Sequence, residues 1–110
     1  MTAAAPLVSI LTPAYNSAAY VAETVESVRQ QTCTDFELLI VDDGSTDDTL
    51  EIVQALAAGD ARVKILPSPH AGPAVARNIG LQHASGQFLA LLDSDDVWDP
   101  SYLSLSLIHI

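Results

Sequence analysis

The chain has 110 residues, enough for one domain or part of one, and its apolar content of 49% is ample for a packed core and excludes intrinsic disorder. Its formal net charge of −10, from fourteen acids against four bases, argues against nucleic acid and anionic membrane surfaces as partners, because phosphate groups are bound by clustered Lys and Arg. Apolar runs shorter than the roughly 18 residues of a spanning helix predict no direct membrane span. One cysteine, Cys33, favours a reducing cytoplasmic compartment, although a longer parent protein could be membrane-associated.

Short apolar runs alternate along the chain with segments whose apolar residues recur at helical spacing. The predicted elements are, in chain order, a strand at 7–11, a helix at 17–31, a strand at 37–41, a helix at 47–58, a strand at 62–66, a helix at 73–84 and a strand at 87–92. This order, with its short connections, predicts an α/β fold in which a mostly parallel sheet carries helices on both faces.

Individual residues set the expected ends of these elements. Pro13 is expected to end the first strand, and either Ser17 or Asn16 to cap the helix that follows. Asp47 suits the positive end of the second helix. Pro73 is expected in the first turn of the third helix.

The acidic residues are concentrated just after two buried strands. Eight of the ten Asp residues lie in the windows 42–48 and 93–99. Because ligands of parallel α/β sheets bind outside the carboxyl ends of the strands, Asp42, Asp43, Asp93 and Asp95 are expected to converge on one edge. Carboxylates spaced like Asp93 and Asp95 suit Mg²⁺ or Mn²⁺, and such a cation can bridge an acidic protein to phosphate oxygens.

Other metal and phosphate motifs do not fit the sequence. An EF-hand loop beginning at Asp93 would need Gly and Glu where Trp98 and Ser104 stand. One Cys and three scattered His residues offer no zinc spacing, and no P-loop or G-x-G-x-x-G motif occurs.

Four segments together resemble one family. VSILTPAYN (8–16), VDDGSTDDT (41–49), GPAVARNIG (72–80) and GQFLALLDSDD (86–96) are similar to the N-terminal blocks of inverting family-2 glycosyltransferases of GT-A, Rossmann-like fold. The resemblance implies a glycosyltransferase with a nucleotide-diphospho-sugar donor, most often a UDP-sugar, and Mn²⁺ or Mg²⁺ as cofactor.

Matched position by position, the resemblance also implies site residues. The nucleotide would be bound by Pro13, Tyr15, Asp42, Asp43, Arg77 and Asp93, and the metal by Asp95 together with Asp93. Two of these assignments have structural alternatives: Tyr15 could pack at the end of its strand, and Arg77 could pair with an acid instead of a phosphate. His70 and His83 are interpreted as surface or packing residues.

The resemblance covers residues 6–100, so we expect 1–100 to be the nucleotide-sugar-binding part of a glycosyltransferase domain, truncated after the D-x-D motif, and 101–110 to be a tail unlike the family. The tail alternates at 103–107 like an edge strand. The catalytic base is expected downstream of this chain. In the intact enzyme a carbohydrate or lipid-linked acceptor would bind, and cell-envelope polysaccharide is among the expected products. An uncovered sheet edge favours a homo-oligomer.

Functions of other classes stay open. The chain could be a non-catalytic nucleotide-binding module or an inactive fragment. A receiver-like phosphoryl acceptor would need a Lys in the acidic pocket, whereas Lys64 lies in a predicted strand. A sugar nucleotidyltransferase would need a Gly-rich, basic loop after the first strand, where this chain has TPAYNSAAY.

Overall fold

The computed structural model describes residues 6–32, 34–94 and 108–109. Its elements are β1 (Val8–Ala14), α1 (Val21–Arg29), β2 (Phe36–Asp42), α2 (Thr49–Ala58), β3 (Val63–Pro67), α3 (Pro73–His83), β4 (Phe88–Leu91) and β5 (Ile108–His109). The sheet order is β3-β2-β1-β4-β5. The first four of these strands are parallel, and β5 pairs antiparallel with β4. The predicted α/β fold with a mostly parallel sheet is confirmed.

Helices cover both faces of the sheet. Alternate residues of β1 and β2, such as Ile10 and Leu38, join Val25 of α1 and Val53 of α2 in one buried cluster. The intervening residues, such as Leu11, face α3, which crosses β1 and β2 on the opposite side. Within the described ranges, no helix is long and apolar enough to cross a membrane.

Pro13 does not end the first strand, which continues to Ala14. Pro13 pairs in register with Val41 of β2, although β1 is a central strand. Pairing between β1 and β4 stops at Leu11 and Leu91, with one further bond from Leu92 N–H to the Leu11 carbonyl. The missing N–H of Pro13 therefore points to the side where β4 has already ended, and no ladder bond is lost.

Two predicted helix starts were wrong by a few residues. The first helix begins at Val21, because Ser17–Tyr20 form a tight turn in which the Ser17 carbonyl accepts the N–H groups of Tyr20 and Val21. The second begins at Thr49, and Asp47 precedes it and accepts the Thr49 N–H at 2.9 Å. Pro73 opens α3 as predicted. The tail segment 103–107 lies outside the described residues, as does Cys33.

Candidate functional site

A cleft of about 450 Å³ opens at the carboxyl ends of β1, β2 and β4. It is lined by Pro13, Ala14, Tyr15, Asn16, Ser17, Tyr20, Asp43, Pro73, Asp93 and Ser94. The loops after three neighbouring strands thus supply its walls, which is the arrangement expected of a parallel α/β sheet.

Asp43 is the buried carboxylate of the cleft, with only 4% of its surface exposed. Its Oδ1 accepts hydrogen bonds from Ser68 Oγ at 2.8 Å and Ala71 N at 3.0 Å, and its Oδ2 accepts one from Gly72 N at 3.1 Å. Burial alone would raise the pKa of Asp43, but these donors outweigh it and hold the pKa below its usual range. Asp43 is therefore an ionised hydrogen-bond acceptor at neutral pH.

Tyr15 forms an aromatic pair at the rim. Its ring, half exposed, stacks on the ring of His70 with centroids 4.4 Å apart and planes inclined by 23°. His70 Nδ1 lies 3.0 Å from the backbone oxygen of Asp43. Tyr15 is thus held next to the carboxylate by a residue from the β3–α3 loop.

Asn16 joins the loop after β1 to the loop after β2. Its Oδ1 accepts the N–H groups of Thr46 at 2.8 Å and Asp47 at 3.3 Å, and its own N–H donates to Ser45 Oγ at 3.0 Å. These bonds hold Asn16 at φ 49°, a left-handed conformation that Asn tolerates better than most residues. Its predicted alternative as a helix cap is wrong, because α1 begins later.

Ser94 anchors the loop that carries Asp93. Its hydroxyl bonds the Ser17 hydroxyl at 2.5 Å, and its carbonyl accepts a bond from Thr24 Oγ1 at 3.0 Å. The exposed Asp93 side chain precedes this anchor and lines the cleft. The bonds from Ser17 and from Thr24 of α1 therefore fix the position of the segment after β4, which carries Asp93.

Asp42 lies beside the cleft but does not line it. It ends β2 with 7% of its surface exposed, and its Oδ1 is buried with no hydrogen-bond partner in the described structure. Thr12 Oγ1, two positions before Ala14 on the adjoining strand, is likewise buried with no hydrogen-bond partner among the described residues. Asp42 shares the strand end with Asp43 but not its contacts with the cleft.

Arg77 is exposed in the second turn of α3 and is not among the cleft-lining residues. Its assignment to the nucleotide stays a prediction. Asp95 lies outside the described residues, within which no group of three or more His, Cys, Asp or Glu could hold a metal. The metal assignment to Asp93 and Asp95 likewise stays a prediction.

Several site residues were missed by sequence reasoning. Ser68, Ser94 and the backbone amides of Ala71 and Gly72 carry no local signal, because each acquires its role from a partner distant in sequence. His70, expected at the surface or in packing, is exposed and packs on Tyr15 as expected, but its contact with the Asp43 backbone oxygen was not predicted. The turn-forming run PSPHAGP around it marked a loop but not a contact.

Comparison with known proteins identifies the family. The model of "Glycosyl transferase family 2" matches residues 9–107. The chain belongs to glycosyl transferase family 2. Chondroitin synthase of Pasteurella multocida (strain Pm70) is 44% identical to this family-2 chain over 102 residues, which are 93% of this chain and 11% of that protein.

Solved structures agree with this assignment. S. aureus TarS 1-349 in complex with UDP superimposes with a TM-score of 0.83 and 35% identity, covering 91% of this chain and 30% of the TarS 1-349 chain. Mannosyltransferase PcManGT from Pyrobaculum calidifontis, in complex with GDP-Man and Mn²⁺, superimposes with a TM-score of 0.81 and 28% identity, covering 93% of this chain and 31% of the PcManGT chain. The predicted GT-A fold is confirmed, and this family-2 chain spans less than a third of each of these three proteins.

Proposed function

We propose that the cleft binds a nucleotide-diphospho-sugar, with UDP-sugar as the favoured class, and that residues 1–100 are the donor-binding part of an inverting glycosyltransferase. The observation that carries the proposal is the ionised, buried Asp43 carboxylate beside the exposed ring of Tyr15 at the carboxyl ends of the strands. A carboxylate acceptor next to a flat ring is suited to a base that presents an N–H at its edge and a π-face above it.

The free capacity of Asp43 favours uracil over guanine. A carboxylate has about four acceptor positions, and three are filled by Ser68, Ala71 and Gly72. The remaining position, on Oδ2, suits the single imide N–H of uracil. Guanine presents two adjacent N–H donors, and one of them would lose its partner on leaving water. Pro13, in the same wall, would pack against the base.

The described residues supply only part of a site for a hard divalent cation, because Asp95 lies outside them. Asp93 offers an exposed carboxylate and Ser94 a neighbouring hydroxyl on the cleft, and both are oxygen ligands. Mg²⁺ and similar ions are commonly held by one or two carboxylates together with substrate phosphates, so Asp93 and Asp95 would suffice with a diphosphate. When bound, Mn²⁺ or Mg²⁺ would neutralise charge on the departing nucleoside diphosphate.

Asp43 is a poor candidate for the catalytic base. Its pKa is lowered and its donors favour the ionised form, so it would take up a proton only weakly. Deprotonation of a carbohydrate or lipid-linked acceptor, followed by single displacement with inversion, would therefore depend on a residue beyond the donor half. The chondroitin synthase relative makes a polysaccharide acceptor a reasonable choice.

A second candidate, a non-catalytic nucleotide-binding module, is favoured by Asp43, whose carboxylate accepts three hydrogen bonds and would take up a proton only weakly. Release of free sugar from UDP-sugars by the isolated chain would argue for residual transferase chemistry. Binding without release would favour the module.

Calorimetry of UDP with and without Mn²⁺ tests the donor site. We expect metal-dependent binding that is lost in Asp95→Ala and retained in Asp48→Ala, an exposed acid outside the cleft. Asp43→Asn should weaken UDP by roughly tenfold. Tighter binding of GDP than UDP would contradict the uracil assignment, and equal losses in the two Asp→Ala variants would contradict the metal assignment.

A further inference from the structure

We propose that His70 is a positioning residue for the nucleotide base, holding the Tyr15 ring and the Asp43 segment in the geometry that the base requires. The inference rests on the proposed function and deepens it. Its basis is a single juxtaposition: His70 stacks on Tyr15 at 4.4 Å between centroids and also lies 3.0 Å from the Asp43 backbone oxygen. His70 is not itself a cleft-lining residue, so it acts through these two.

The location of His70 is fixed from two sides. Its φ of 57° is a left-handed conformation, and a Cβ on Gly44, itself at φ 76°, would lie 2.9 Å from His70 Cβ. The loop after β2 therefore passes directly against His70, where only glycine fits. The amides of Ala71 and Gly72, which bind the Asp43 carboxylate, hold the loop from the other side.

The stacked ring removes rotational freedom from Tyr15. Tyr15 keeps 44% of its surface exposed, and an aromatic partner restricts its ring before any ligand arrives. Preorganisation of this kind raises affinity by reducing the entropy lost on binding.

The hydrogen bond between His70 and the Asp43 backbone oxygen defines which ring nitrogen of His70 carries the proton. A backbone carbonyl only accepts, so Nδ1 must donate to the Asp43 oxygen and, in the neutral ring, Nε2 holds the lone pair. His70 Nδ1 also lies 3.9 Å from Asp43 Oδ2, so the ring touches the segment that presents the recognition carboxylate.

The test compares UDP–Mn²⁺ affinity in His70→Ala, His70→Asn and His70→Phe. We expect roughly 3- to 10-fold weaker binding in the Ala and Asn variants, which lack a ring, and a smaller loss in His70→Phe, which retains the ring but not the bond to the Asp43 carbonyl. His83→Ala is the matched control, because His83 makes a similar bond at 2.9 Å, but to the Ile79 carbonyl within α3 and not to the Asp43 segment. Binding of Mn²⁺-pyrophosphate, which has no base, should be unchanged in all variants.

The positioning role would be overturned by full affinity in His70→Ala or His70→Asn, by binding in His70→Phe as weak as in His70→Asn, or by equal losses of affinity for Mn²⁺-pyrophosphate. If His70→Ala fails to fold, the Phe and Asn pair still decides it. Failure of the wild-type chain to bind UDP would overturn the proposed function as well. Independently of any ligand, ¹⁵N NMR of the neutral ring should show the Nδ1–H tautomer, and an Nε2–H tautomer would contradict the inferred geometry.

Discussion

Ser9 donates a hydrogen bond of 2.7 Å to Glu37 Oε2 across the β1–β2 pair, at the end of the sheet opposite the cleft. Glu37 is buried, and it also accepts bonds from the Ser85 N–H at 2.8 Å and from Lys64 Nζ at 3.1 Å. Burial alone would raise the pKa of Glu37, but the bonds from Ser9, Ser85 and Lys64 hold it below its usual range. This carboxylate ties together three strands and the loop before β4.

Replacing Glu37 by Ala should reduce the free energy of unfolding by roughly 1–3 kcal/mol, because Ser9 and the Ser85 amide would be left without their acceptor. Urea denaturation measures the loss. Glu51→Ala, in the exposed first turn of α2, is the control and should change little. A Glu37→Ala chain as stable as Glu51→Ala would mean that the network contributes nothing net.

Gly86→Ala should destabilise the fold by roughly 1–3 kcal/mol, since overpacking forces the backbone to move. An added Cβ would lie 2.7 Å from Ser9 N and 2.8 Å from Val8 C, both backbone atoms. Gly59→Ala is the matched control, because its φ is −94° and the nearest atom to an added Cβ is 3.8 Å away. Thermal unfolding of both variants provides the comparison, and equal melting temperatures would refute the close approach.

Asp60 should contribute to the loss of folding stability at acid pH. Hydrogen bonds from Arg62 lower the pKa of this carboxyl to about 2 from an ordinary value of 3.8, with a further ionic contact to Arg29. A lowered folded-state pKa stabilises the fold above the unfolded value and loses that stability as pH falls through the folded value. The loss is therefore expected between pH 3.8 and about 2.

Asp60→Asn should make the free energy of unfolding less dependent on pH in the acid range. The stability difference between wild type and variant, measured by urea unfolding at pH 5 and pH 2.5, should shrink at the lower pH. Asp35→Asn, an exposed acid, serves as reference. A difference that stays constant across this range would show that Asp60 is not responsible.

Variants of Asn16, in the loop after β1, separate the cost of lost hydrogen bonds from the cost of backbone strain. Asn16→Gly removes the side-chain bonds to Thr46 and Asp47 but tolerates φ 49°, whereas Asn16→Ala also strains the backbone. We expect Asn16→Ala to be less stable than Asn16→Gly by about 1–2 kcal/mol. Differential scanning calorimetry of the two proteins checks the order, and the reverse order would contradict the left-handed assignment.

The homo-oligomer stays a prediction, and light scattering over a wide concentration range checks it. Only monomer across that range would contradict the expectation of association through an uncovered sheet edge.

The local pattern of the chain determined its elements and their parallel order. The unbroken apolar run at 38–41 favours a strand buried on both faces, and the helical spacing between such runs predicts crossover connections. The same reasoning brought Pro13, Asp43 and Asp93 to one edge, because the carboxyl ends of parallel strands must meet there. Three of the four family blocks, at 8–16, 41–49 and 86–96, include those strand ends, and the fourth, at 72–80, lies at the start of α3.

Only the tertiary structure decided which residues near that edge work together. Asp42 and Asp43 are the same residue type, yet Asp42 has a buried oxygen with no hydrogen-bond partner among the described residues, whereas Asp43 binds Ser68 and two amides. His70 meets Tyr15 although 55 positions separate them in the numbering. Such pairings depend on how loops of different strands cross in space, and hydrophobic periodicity contains no information about side chains that pack outside the sheet.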